Sequence, residues 1–205
     1  MPGSSPPTGR ATVRRKAERA RYDVDTIRSI LDEALICNVG FAVDGRPWVV
    51  PTAFARVDDH LYLHGAVGNF ALRTLAAGAE ACITVTLLDG LVLARSAFHH
   101  SMSYRSVMAF GRAEVLTDEA EKEAAVMAIL EHVVPGRAAA TRPPTTSELR
   151  STMVVRIPLD EASAKVRSGG PVDDPDDLAL PRWAGIVPLA VVRGDAVADA
   201  PSVPE

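Results

Sequence analysis

Aromatic side chains are scarce in this 205-residue chain, which holds two Trp, three Tyr and five Phe. Its interior must therefore be built from Ala, Val, Leu and Ile, and a flat ligand would find few stacking partners. Cysteine is scarcer still. Cys37 and Cys82 follow neither a Cys-x-x-Cys nor a mixed Cys/His spacing, which argues against a disulfide scaffold or zinc site and suits buried thiols in a reducing compartment. Asp, Gly or Arg interrupts the apolar runs well before the roughly 18 residues a membrane span needs. No apolar leader follows Met1-Pro2-Gly3-Ser4-Ser5, so a cytoplasmic protein with no membrane partner is expected. The Gly-x-x-x-x-Gly-Lys and Gly-x-Gly-x-x-Gly phosphate loops are also missing, which rules against the common nucleotide folds.

What is present is 47% hydrophobic and 23% charged, enough apolar side chain for one substantial core. The formal net charge of −4 is unevenly spread. Residues 1–21 carry Arg10, Arg14, Arg15, Lys16, Arg19 and Arg21 against Glu18 alone, whereas 169–205 are dominated by acids. The chain is not globally basic, so no nucleic-acid partner is expected. Three regions follow: a basic flexible arm over 1–21, a folded domain over 22–168, and an acidic loop with a C-terminal arm packing back over 169–205.

Ordered structure is expected from Asp23, where Ile27, Ile30, Leu31, Ala34 and Leu35 fall on one helical face. After Asn38 the pattern turns to short β-rich runs. Asp44-Gly45 predicts a tight hairpin joining 39–43 to 47–57, and 60–64 forms the next strand. A helix over 69–77 closes at Gly78. Strands over 81–88 and 91–97 flank Asp89-Gly90, read as a second turn, and 104–116 continues the meander. Asp118 opens a helix with Val126, Ile129, Leu130 and Val133 inward, and strands over 151–158 and 162–167 follow a helical turn at 147–150. Strands without a βαβ rhythm predict a mainly β fold, a small antiparallel barrel with accessory helices.

The junction His64-Gly65-Ala66-Val67-Gly68-Asn69 is the most informative segment. Glycines there allow close backbone approach, and the helix start can meet an anion; a plain turn and cap is the competing reading. Arg73, Arg105, Lys165 and Arg167 are candidate cations. His60 and His64 stand roughly 13 Å apart along a strand, too far to share an ion. His99-His100 face opposite ways if extended, and no carboxylate ligand set joins them. Ser96, Ser101, Ser103 and Ser106 lie near these histidines, but no Gly-x-Ser-x-Gly elbow supports a hydrolase.

Pro51-Thr52-Ala53-Phe54, Leu61-Tyr62-Leu63-His64-Gly65, the block from Leu88-Asp89-Gly90 to Phe98-His99-His100-Ser101, Tyr104-Arg105-Ser106-Val107, Lys165-Val166-Arg167-Ser168-Gly169 and Trp183-Ala184-Gly185 resemble the FMN-binding split barrels. These form the pyridoxamine 5'-phosphate oxidase-like superfamily, and the branch near the nitroimidazole-resistance proteins looks most similar. The resemblance implies a six-stranded antiparallel split β-barrel and a homodimer with FMN at the subunit interface. It also implies an oxidoreductase acting on nitro-aromatic or other small acceptors; a flavin carrier or sensor, or a deazaflavin- or haem-binding barrel, is the alternative. It places Val50, Pro51, Thr52 and Ala53 along the isoalloxazine, and His64, Gly65, Gly68, Asn69, Arg105 and Ser106 near the ribityl phosphate. Lys165, Arg167 and Trp183 would close over the flavin. Relatives carry Ser and a basic residue where this chain has Ala66, Asn69 and Phe70. Losing those donors implies a hold on FMN weaker by roughly one to two orders of magnitude.

Overall fold

A computed structural model describes residues 9–199. Strand β1 (Ala20–Arg21) and helix α1 (Val24–Glu33) are followed by β2 (Ile36–Val43), β3 (Arg46–Ala53), β4 (Ala55–Val57) and β5 (His60–Ala66). Then come α2 (Phe70–Ala76), β6 (Glu80–Leu93), β7 (Ser101–Arg112), β8 (Glu114–Val115), α3 (Glu119–Val133), α4 (Thr146–Ser151), β9 (Thr152–Pro158), β10 (Glu161–Arg167) and β11 (Gly185–Pro188). The chain divides into two compact units, one of residues up to 87 with 104–168, the other of 88–103 with the chain from 169 onward.

In the first unit two antiparallel sheets share one core. The larger runs β1-β10-β7-β6-β2-β3 and the smaller β4-β5-β9-β8. Period-two patterning aims Cys37, Val39 and Phe41 of β2, Ala81, Ile83 and Val85 of β6, and Val107 and Ala109 of β7 inward. Leu61, Leu63, Val155 and Ile157 meet them from the smaller sheet. Val154, also fully buried, faces the other way, onto Leu116 and Ala125 of α3.

Local chemistry explains the joints. Asp23 caps α1 by accepting from the Thr26 N–H at 2.8 Å, and Asp118 caps α3 through Glu121. Asp44 and Gly45 both take positive φ, the turn that matches the twist of the β2–β3 hairpin. The run expected as one strand over 47–57 instead divides at Phe54. That side chain, 0% exposed, sits where the chain leaves the larger sheet and enters the smaller one.

Two expectations are corrected. The part of the basic arm within the described residues, 9–21, is docked rather than flexible: Ala20 and Arg21 pair with Lys165 and Ala164, Ala11 is buried, and Arg10 pairs with Glu161 and Glu80. Residues 1–8 of that arm, and 200–205 of the C-terminal one, lie outside the described residues. Asp89-Gly90 is not a turn but lies inside β6, because β11 runs alongside and pairs Gly90 with Pro188. A Cβ on Gly90 would meet the Val187 carbonyl oxygen at 3.0 Å, so the glycine permits close approach of two strands.

The second unit is held by that pairing and by two acids. Asp173 accepts from the Arg95 backbone N–H and guanidinium, each at 2.8 Å, and Asp174 contacts the His99 ring at 3.1 Å.

Candidate functional site

Strand β3 is the outer strand of its sheet, so one side of its backbone has no strand partner among the described residues. Beside it, β5 and α2 enclose a cavity of about 80 Å³ lined by Val50, Pro51, Thr52, His64 and Asn69, with Val39, Leu63, Ala71, Leu72 and Leu75 as its apolar walls. Five residues expected around a flavin thus come together here. Gly65 makes the junction possible, since a Cβ there would meet Leu72 Cδ1 at 3.0 Å and Asn69 Nδ2 at 3.4 Å.

His64 is the chemically notable group. Its Nδ1 is buried with no hydrogen-bond partner, and burial holds the imidazole pKa below its ordinary value, favouring the neutral ring. A neutral imidazole with an unsatisfied nitrogen can meet a ligand polar atom or a metal.

The helix start beside it is already occupied by its own cap. Asn69 Oδ1 accepts from the Leu72 N–H at 3.0 Å, and α2 is only seven residues long. The cap reading describes this end. Phe70, standing where relatives have a basic residue, packs edge-on against Trp48 at 5.1 Å and near Phe41 at 6.0 Å. Three of the few aromatics are spent on this cluster.

The other expected residues lie apart. Gly68 and Arg73 line a separate open cleft outside α2. Arg105 holds the Glu33 carboxylate with both guanidinium nitrogens. Ser106 and Lys165 face a cavity of about 280 Å³ under residues 10–15, and Arg167, on the same side of β10 as Lys165, is buried. Ala53 ends β3. Trp183, in the second unit, is 66% exposed, and its ring fills the space where a Cβ on Gly185 would stand. Sequence reading missed Glu33 as the partner of Arg105, and no spacing rule could have supplied it. It also missed the docking of Arg10, Arg14 and Arg15 over Lys165, which the run of basic residues only hinted at.

The residues around His64 fit one edge of a flavin. A cavity of 80 Å³ is well below the roughly 300 Å³ at which pockets begin to enclose ligands, so a tricyclic ring would lie across its mouth, along the open β3 edge. That edge is flanked by exposed apolar side chains: Ile36, Trp48, Val49 and Phe70.

The pyridoxamine 5'-phosphate oxidase family matches residues 23–166. Among solved structures, the flavocytochrome Anf3 from Azotobacter vinelandii is 39% identical, with a TM-score of 0.91, 97% of this chain and 92% of that one being covered. An FAD and haem binding protein from Mycobacterium smegmatis is 36% identical, with a TM-score of 0.82 over 91% of this chain and 94% of that one. A protein described as a putative 5-nitroimidazole antibiotic resistance protein from Bacteroides thetaiotaomicron is 30% identical, with a TM-score of 0.61 over 72% and 86%. No curated protein matches the chain.

Proposed function

Because the chain belongs to the pyridoxamine 5'-phosphate oxidase family, we propose that it is a flavin-binding split-barrel redox protein whose cofactor ring lies across the mouth of the His64 cavity. The observation that carries this reading is the buried, unpartnered Nδ1 of His64 beside an edge strand with backbone groups to offer. The flavin, when bound, supplies the electron-transfer chemistry. The chain's own work is positional: β3 reads the ring edge, Val50 and Pro51 exclude water from one side, and His64 donates or accepts at a polar atom.

FMN is the flavin that the sequence resemblance implies, and FAD is the one supported by the whole-length likeness to a protein described as binding it. The site chemistry also favours FAD. Arg105 is engaged with Glu33, and Phe70 stands where a basic side chain would meet a terminal phosphate. The exposed apolar side chains beside β3 suit burial against a second copy, as the homodimer reading requires. Reduction of a nitro-aromatic or similar small acceptor is the activity favoured by the likeness to the nitroimidazole-resistance protein. Two thiols outside any disulfide, Cys37 and Cys82, suit the cytoplasm.

A second reading adds a haem. Two whole-length relatives are described as a flavocytochrome and as an FAD and haem binding protein, and a neutral His64 has the form that ligates iron. A visible spectrum with mass spectrometry on untreated protein tests both. The expected result is the two-band spectrum of oxidised flavin, with a Soret band added if haem is held. Colourless protein whose spectrum stays unchanged on titration with FMN or FAD would overturn the proposal. Loss of a Soret band in His64→Ala with flavin retained would assign His64 to iron.

A further inference from the structure

We propose that the cavity beneath the N-terminal segment is a second binding site, separate from the flavin cavity, for a small molecule carrying a diphosphate group. The cavity, about 280 Å³, lies between residues 10–15 and the strands β7 and β10. Cations surround it. Arg14 and Arg15 are exposed at its rim, and among the described residues neither has an ion-pair partner. Lys165 enters from β10 and spends one hydrogen on the Arg15 carbonyl at 3.1 Å, leaving two for a ligand. Ser106 adds a hydroxyl, while Met108 and Ala164 give the cavity an apolar part against which a nucleoside can rest. Arg10 is different: it bridges Glu80 and Glu161 and sits 4.6 Å from the Phe110 ring centroid, so it pins the segment rather than serving a ligand.

Several cations held together without carboxylates repel one another, and an anion relieves that repulsion. Multiple donors around one concavity match the several oxygens of a diphosphate better than a single carboxylate. The site is distinct from the flavin cavity by topology. Strands β6 and β2 separate β7 from β3, which at about 4.8 Å per strand is about 14 Å.

Calorimetric titration of the protein as purified, using inorganic pyrophosphate and ADP as probes, tests this. Each probe is expected to bind once per chain, to weaken with rising salt, and to leave any cofactor spectrum unchanged. Arg14→Gln with Arg15→Gln should lose at least tenfold in affinity at unchanged melting temperature, since both side chains are exposed. A preference for ADP would assign the cavity to nucleotides, and equal affinities to the diphosphate group alone. Absence of binding at millimolar probe, undiminished affinity in the double variant, or release of bound flavin as the probe saturates would each overturn the proposal. A colourless preparation would sink the flavin reading and leave this titration intact.

Discussion

The guanidinium of Arg105 on β7 holds both carboxylate oxygens of Glu33, the last residue of α1, with Nη2 2.8 Å from Oε1. This pair ties the helix end to the sheet and competes with any phosphate for the same cation. In the flavin reading, Glu33→Gln is expected to tighten flavin binding a few-fold, and Arg105→Ala to weaken it about tenfold, the loss of one charge-assisted contact. Arg150→Ala, at an exposed pair with Glu119, should change nothing. Fluorescence titration of flavin reads all three; equal affinities for the Arg105 and Arg150 variants would remove Arg105 from the site.

His64 makes stability depend on pH in a definite sense. Its folded pKa is held below the ordinary 6.5 by burial, whereas the unfolded ring protonates normally. As pH falls below about 6.5 the unfolded state takes up a proton that the folded state resists, so stability drops on the acid side; above that value this group contributes no slope. Thermal melts of cofactor-free protein between pH 5 and 8 should show that slope, and His64→Gln should flatten it.

Phe54 is expected to be the costliest side chain to truncate. It is fully enclosed at the crossing from β3 to β4 and packs against the His132 ring at 5.1 Å. Phe54→Ala should cost about 3–5 kcal/mol, read as a shift of the urea midpoint. A cost below 1 kcal/mol would show that the corner collapses around the cavity.

The two thiols should differ in reactivity. Burial pushes Cys37 up to about 12 and raises Cys82, which is less deeply covered, from its ordinary value. A maleimide at pH 8 should leave Cys37 unmodified in the native protein and label both cysteines after denaturation, as mass spectrometry would report.

Asp173 pins the acidic loop of the second unit through two bonds to Arg95. Asp173→Ala should open the segment around Gly169-Gly170 to proteolysis, while Asp176→Ala, exposed and without a hydrogen bond or ion pair among the described residues, should not. Equal cleavage of the two variants would dismiss the pin.

Much of the fold was legible because local chemistry and periodicity agreed. The Asp23 cap, the Asp44-Gly45 turn and the inward alternation of β2 and β7 each follow from a few neighbouring residues. Asp89-Gly90 misled for a physical reason. A turn dipeptide also suits close strand approach, and its partner, β11, lies almost a hundred residues downstream. Phe54 carries no breaker to announce a corner. At the site, the β3 residues and His64 were placed together by resemblance, and the cavity gathers them. Arg105, Lys165 and Arg167 were recognised as cations, but their neighbours are set by tertiary packing: Glu33 from a helix end and Arg15 from the far terminus.

The pairing of Ala20 with Lys165 sets an order of events during synthesis. Strand β1 emerges early, yet the edge it occupies does not exist until β10 has left the ribosome and paired with β7. The basic segment 9–21 must therefore wait unpaired through most of translation, and the larger sheet reaches its full width only near the end. Pairings between such distant stretches of chain fold slowly. Truncated or stalled chains that stop short of residue 161 should accordingly expose β7 as a sheet edge, and would be the species to look for in aggregates.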